Sequence, residues 1–339
     1  MLSGVRRMPD TMSGGRTREA VSSKVSQPTW LVWGLLFSSS MARPRQILEG
    51  QFYLLTRRCT QRLFLLRPDD ATTNAFLYCL AIAAQRFRIE VLLTLAESNH
   101  HHTVFFDRYG TGPGFVEYFH KLFARSQNAL RGRWENFWAA EEPCLTRLLD
   151  RETVIAKLVY TATNPVKDRL VERVHHWPGA NSYPNLMSGR AIVARRPLHF
   201  FRPTGPMPES ATLQMTIPPE LGDRDEVIAS VRAGVDIVER EIAAQRACTG
   251  AGVVGRRRVL EQSWKDSPAS IEPRRTLRPR FAGGVVERAN ALLDYRAFLV
   301  AYRLARARWL ERRESMFPPG TYWLARFAAV PVASIPLPC

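Results

Sequence analysis

The order in which two side-chain periodicities alternate between residues 45 and 175 constrains this chain more than any other feature. Gln51 to Arg62 (QFYLLTRRCTQR) carries aromatic and β-branched residues among arginines and predicts a strand. Pro68-Asp69-Asp70 supplies a turn and a helix start. Ala71 to Phe87 then follows a helical period, with Phe76, Leu77, Leu80, Ile82, Ala83 and Phe87 on one broad stripe. Arg88 to Ala96 and Thr103 to Asp107 predict two strands. After the Gly/Pro loop from Gly110 to Gly114, a helix is expected from Phe115 to Leu130 and a strand from Asn136 to Ala139. Asp150 to Thr163 (DRETVIAKLVYTAT) predicts a further helix, stopped at Asn164-Pro165 because proline disfavours helical backbone at the residue before it. A β-α-β-β-α-β order is that of an α+β, ferredoxin-like split βαβ arrangement, an antiparallel sheet with helices on one face.

Beyond His175-His176-Trp177-Pro178 the pattern changes. Residues 179 to 224 are rich in Pro, Gly and Ser, and Asp225 to Cys248 predicts a helix. Gly250 to Arg280 is loop-like and arginine-rich, with Arg256, Arg257, Arg258, Arg274, Arg275, Arg278 and Arg280. Val285 to Arg313 predicts a long helix whose Ala291, Tyr295, Phe298, Tyr302, Ala305 and Trp309 share one face, read as core. The expected organisation is therefore a domain over residues 41–180 followed by a basic, mostly helical extension over 181–339. Residues 1–40 have no periodicity before the short apolar run Trp30 to Phe37 (WLVWGLLF). Met41 opens MARPRQILEGQFYLLTRR, so these forty residues are read as a disordered tail or a start placed too far upstream.

Charge narrows the function. The 339 residues carry 48 Lys and Arg against 31 Asp and Glu, a net charge of +17. Such an excess suits a polyanion, most commonly nucleic acid, although an arginine-rich surface also follows from GC-rich coding. Five cysteines, widely spaced and without a CxxC pair, argue against a disulfide framework or a cysteine zinc site and suggest free thiols in the cytoplasm. The run at Trp30 is too short to span a bilayer, and no membrane segment is expected.

Two short motifs carry chemistry. In Ser98-Asn99-His100-His101-His102 the first and last histidines are two residues apart, so in a strand they project from one face while His101 projects from the other. Two imidazoles on one face can meet one divalent ion. The run alone also fits a solvated loop or part of a zinc site. In Tyr160-Thr-Ala-Thr-Asn164-Pro165, Tyr160 and Asn164 are one helical turn apart and share a face. The phenol can serve as a nucleophile and the amide oxygen as a ligand. Alternatively, Tyr160 is an ordinary packing residue and Asn164-Pro165 a helix stop.

Taken together, the histidine run and the later Tyr-x-x-x-Asn-Pro-Val resemble the REP-associated tyrosine transposases and their insertion-sequence-200-like relatives, within the single-tyrosine HUH nucleases. The likeness covers residues 43 to about 185, including RPRQILEGQFYLLTRR, RLFLLRPDD, SNHHH, YTATNPVKDRLV and WPGANSY. It implies a metal-dependent single-strand DNA endonuclease and strand transferase. Tyr160 would form a 5′-phosphotyrosine link, and His100, His102 and Asn164 would hold Mg²⁺ or Mn²⁺. Two positions depart from the family pattern. His101 stands where a hydrophobic residue is usual, and Glu97 where Met is frequent.

The expected partner is single-stranded or hairpin DNA in a nucleoid-associated, cytoplasmic setting, with no membrane and with a homodimer compatible with the reading. Arg57, Arg58, Arg62, Arg131 and Arg133 are the expected phosphate contacts. The first alternative is a catalytically inactive DNA-hairpin-binding relic of such a transposase. The second is an unrelated zinc hydrolase, ranked last because no HExxH or further ligand cluster is visible.

Overall fold

The computed structural model describes residues 44–270 and 279–334. The leader, Arg274, Arg275, Arg278 and Cys339 lie outside those residues. The first part of the chain forms β1 (Gln51–Arg58), α1 (Asp70–Phe87), β2 (Glu90–Ala96), β3 (His100–Asp107), α2 (Gly112–Arg131), β4 (Cys144–Leu148) and α3 (Arg151–Lys167). The fold is α+β. A five-stranded sheet runs β2-β3-β1-β4-β7, where β7 is the two-residue strand Phe281–Ala282. The first four strands are antiparallel neighbours, and β7 joins β4 in parallel.

Alternation along β3 sorts the helices between the two faces. His101 meets Phe76 of α1 and Phe119 of α2, and Phe105 meets Phe115 of α2. On the other face His102 meets Tyr160 of α3. Between α1 and α2, Phe76 sits edge-on to Phe119 and Phe123 at 5.3 Å. These rings are fully buried, and each contributes roughly 2 kcal/mol of apolar burial. Both chain entries are capped. Asp69 accepts from the Thr72 amide ahead of α1, and buried Asp107 accepts from the Thr111 and Gly112 amides ahead of α2. A Cβ at Gly112 would stand 2.7 Å from the Asp107 carboxylate, so a larger residue there would displace that cap.

Four local expectations are corrected. β1 ends at Arg58, because Cys59 turns the chain into a 3₁₀ turn, Thr60–Arg62, with Gln61 and Arg62 at positive φ. The histidines expected ahead of a short strand instead begin β3 itself. The fourth strand is Cys144–Leu148 and not 136–139. Trp138 makes only an isolated bridge to Cys59, whereas the later segment pairs with β1 from Thr56 to Phe52. Finally, α3 runs through Asn164-Pro165 to Lys167. Pro165 forfeits one internal bond, but the last turn is closed by Asp168 N–H to Asn164 O and by Leu170 N–H to Pro165 O.

The remainder adds α4 (Tyr183–Ser188), the β5–β6 pair (Ile192–Arg195, Ser210–Leu213), α5 (Arg224–Thr249), α6 (Arg256–Glu261), α7 (Val285–Leu310) and α8 (Trp323–Ala328). Val227, Val231 and Val235 of α5 belong to the same apolar core as the sheet. On α7, Ala291, Tyr295, Phe298 and Ala305 of the expected stripe are buried, while Tyr302 and Trp309 are half-buried. Among the described residues no helix is long and apolar enough to cross a membrane.

Helix α5 lies directly on α3. A Cβ at Gly234 would come within 2.6 Å of Val159 Cγ2, beside Tyr160. Gly234→Ala is expected to lower unfolding free energy by about 1–3 kcal/mol through overpacking, as measured by urea denaturation. An unchanged midpoint would show that the two helices do not approach this closely.

Candidate functional site

An open cleft of about 820 Å³ lies where β1, β3 and α3 meet. His100, His102, Tyr160, Glu97 and Asp168 line it, together with Arg57, Arg58 and Arg62. The two histidine rings stand 4.9 Å apart at an interplanar angle of 89°, and His102 meets Tyr160 at 5.3 Å. Asn164 reaches the same point from one turn further along α3, with its Nδ2 3.1 Å from His100 Nε2. His101 takes no part. It is buried on the opposite face, with Nε2 2.9 Å from His120 Nε2.

Hydrogen bonding orients both cleft imidazoles. His100 Nδ1 is 2.8 Å from Asn99 Oδ1, a carbonyl oxygen that can only accept, so Nδ1 carries the proton and Nε2 presents its lone pair to the Asn164 amide. His102 Nδ1 is 2.8 Å from Thr56 Oγ1. Its Nε2 is buried and has no hydrogen-bond partner among the described residues. Burial, followed by the nearby Arg58 charge, pushes His100 down to about 4. Burial and then the neighbouring histidines hold His102 well below the ordinary range. Both rings are therefore neutral near pH 7, the form in which imidazole binds a cation.

Among the described residues no group of three or more His, Cys, Asp or Glu side chains is arranged to hold a metal. A donor set here would instead be two imidazoles and an amide, open on the cleft side. With Thr56 Oγ1 accepting from Nδ1, the His102 Nε2 presents a buried lone pair without a partner among the described residues, and its desolvation cost is one that a cation would offset. Turning the Asn164 amide over would present its oxygen in place of its nitrogen.

Comparisons with known proteins add little to this geometry. No protein-family model matches the chain, and no curated protein matches it. Among solved structures, a REP-associated tyrosine transposase bound to a REP hairpin is similar over 44% of this chain and 86% of that one, at 16% identity and a TM-score of 0.37. The likeness is distant.

The expected arginines separate into two groups. Arg57, Arg58 and Arg62 line the cleft. Arg57 Nη1 lies 3.0 Å from His120 Nδ1 with its guanidinium over Trp138, and burial lowers its pKa to about 10. Arg58 pairs loosely with Glu141 at 3.9 Å, and Arg62 donates to the Ser270 carbonyl. Arg131 and Arg133 do not line the cleft. Arg131 is held by Asp69 at 2.5 Å, and Arg133 lies over Trp264.

Sequence reasoning missed an acidic pair. Glu97 is 3% exposed, lies 3.7 Å from His100 Nδ1 and has Asp168 as its neighbouring acid. Burial first, and then the neighbouring Asp168, raises Glu97 well above the carboxylate range; burial also raises Asp168. One proton between them is the favoured state. The spacing that joined Tyr160 to Asn164 extends one more turn to Asp168, so half of this pair was available from the helix period. Tyr160 is itself raised, by burial and then by Asp168 and Glu97. Lys157 and Lys167 each place Nζ 5.3 Å from the Tyr160 ring centroid.

The imidazoles make acid stability a test of the site. A histidine whose folded pKa lies below its unfolded value of about 6.5 binds protons more weakly when folded, so it costs stability as pH falls through 6.5 toward the folded value. His100, His101, His102 and His120 all act in that direction, whereas the raised Glu97 and Asp168 act in the other. The urea midpoint is therefore expected to be lower at about pH 5 than at about pH 7.5. A midpoint that holds or rises would mean that the imidazoles do not outweigh the raised Glu97 and Asp168.

Proposed function

We propose that this protein is a single-strand DNA endonuclease and strand transferase, with Tyr160 as nucleophile and His100, His102 and Asn164 as the holders of a divalent cation, Mg²⁺ or Mn²⁺. The observation that carries the reading is the convergence of four side chains from β3 and α3, three of them lining the cleft and Asn164 behind His100, with the His102 Nε2 left without a partner among the described residues. The strand order β2-β3-β1-β4, with α1 and α2 on the face away from Tyr160, supports taking the core as the ferredoxin-like split βαβ sheet of that nuclease class.

In this reading Tyr160 Oη attacks phosphorus, the bond from phosphorus to the 3′ oxygen breaks, and the strand leaves with a free 3′-OH. The other piece stays on Tyr160 through its 5′ phosphate. The phosphodiester energy is retained, so a second 3′-OH can reverse the step without a nucleotide cofactor. A divalent cation would offset the charge that develops on the phosphate oxygens. The ammonium groups of Lys157 and Lys167 favour the phenolate, which the acidic pair opposes. Arg57, Arg58 and Arg62 line the path along which a strand backbone would enter. Arg131 and Arg133 stand outside the cleft, where a duplex stem is the phosphate source left to them.

The acidic pair beside Tyr160 favours one second reading, a hairpin-binding relic without turnover. Incubation with labelled single-stranded and hairpin oligonucleotides in Mn²⁺, followed by a denaturing gel, separates the two. The expected outcome is a covalent protein–DNA band lost in Tyr160→Phe, lost on chelation and reduced at least ~100-fold in His102→Ala. Binding of hairpins with no band under any condition would leave the relic, and a band that survives Tyr160→Phe would place the nucleophile elsewhere.

A further inference from the structure

A second, smaller pocket lies around the sheet edge from the cleft. It has a volume of about 200 Å³ and is lined by three arginines, Arg45, Arg147 and Arg280, with Tyr53 and Tyr295 and a single acid, Glu142. Tyr53 and Arg147 are cross-strand partners on β1 and β4, so they project together from the face opposite Thr56 and His102. Glu142 and Cys144 line both cavities, which meet at the start of β4.

Two atoms mark the pocket as built for a ligand. Tyr53 is 4% exposed, and its hydroxyl is buried without a hydrogen-bond partner among the described residues. Arg147 Nε is buried and unpartnered in the same sense. Buried polar atoms of this kind carry a desolvation cost that an anion would remove, and a phenol O–H beside a guanidinium is a matched donor set for phosphate. The acids near them do not neutralise the pocket. Glu142 is bonded to Arg45, while Asp107 acts on Tyr53 and Asp294 on Arg147 without a hydrogen bond to either. Arg280 is held over the Tyr295 ring at 4.8 Å, and Tyr295 is anchored by its hydroxyl to the Pro44 carbonyl.

We propose that this pocket is a phosphate subsite, in which Tyr53, Arg147 and Arg280 take one phosphate of a nucleotide, supplied either by a strand running on from the cleft or by a free mononucleotide. The strand source rests on the nuclease reading; the site itself does not.

The test uses the full chain and three probes: a fluorescein-labelled oligothymidylate of about twenty nucleotides by anisotropy, and thymidine 5′-monophosphate and inorganic phosphate by calorimetry. Tyr53→Phe should weaken oligonucleotide binding about tenfold. It should leave the thermal midpoint unchanged or higher, because the deleted hydroxyl has no partner among the described residues. Arg147→Gln should weaken binding similarly and reduce the salt slope by about one counterion. Both variants should still form the Tyr160 adduct when oligonucleotide is saturating. Arg147-dependent binding of the monophosphate without oligonucleotide binding would keep the subsite, assign it to free nucleotides and count against the nuclease reading. Wild-type affinity for all three probes in both variants would overturn the subsite, even if the adduct forms. So would binding of inorganic phosphate alone, at tens of millimolar.

Discussion

Strand β3 is covered on both faces, and the rest of the molecule follows from that constraint. Its neighbours β2 and β1 take up its backbone hydrogen bonds, so its side chains alone decide what each face can hold. Three consecutive histidines on such a strand cannot play one role. The period of two sends His101 into the aromatic layer under α1 and α2, where it needs His120 as a polar partner. The same period sends His100 and His102 to the face where α3 arrives. A one-residue slip would send the pair into the aromatic layer and the single ring to the cleft side, so register is fixed by the same packing that builds the site.

Helix α3 is the complementary half. Tyr160, Asn164 and Asp168 are spaced one turn apart along its sheet-facing side, and a helix broken at Asn164 would not deliver the last of them. The proline there is tolerated because later amides close the turn. α5 backs the helix through the glycine contact at Val159, so the tyrosine is held from behind as well as from the sheet. The residues after 181 thus complete the surroundings of the site as well as extending the fold. They supply β7, the backing helix and part of the cleft wall through Gln262, Pro268 and Ser270.

The electrostatics around Tyr160 are balanced rather than uniformly activating. Burial and two nearby carboxyl groups hold the phenol protonated, while two lysines lie over its ring. The cleft imidazoles are neutral and held by Asn99 and Thr56, while the Asn164 amide, which now faces His100 Nε2 through its nitrogen, is the group that would have to turn for its oxygen to face the cleft. The cationic side chains at the cleft mouth and in the pocket beyond β4 extend this surface around the end of that strand.

The sequence by itself determined the α+β class, the helices α1, α2, α3, α5 and α7 within a few residues, and the pairing of His100 with His102 and of Tyr160 with Asn164. Each of these depends on a local period or a spacing of four residues or fewer. It did not locate β4, because five residues with weak alternation become a strand only when β1 offers them an edge. Nor did it predict that α3 passes through Pro165, since closure of that turn uses amides supplied after the chain has left the helix. Only the tertiary structure brought β3 to α3, set Glu97 against Asp168, drew Arg131 away to Asp69 and left the Tyr53 hydroxyl without a partner among the described residues. The first three are contacts between residues far apart in the chain, and the fourth is a gap left by such packing; their energies come from burial and pairing in three dimensions and leave no periodic trace along one.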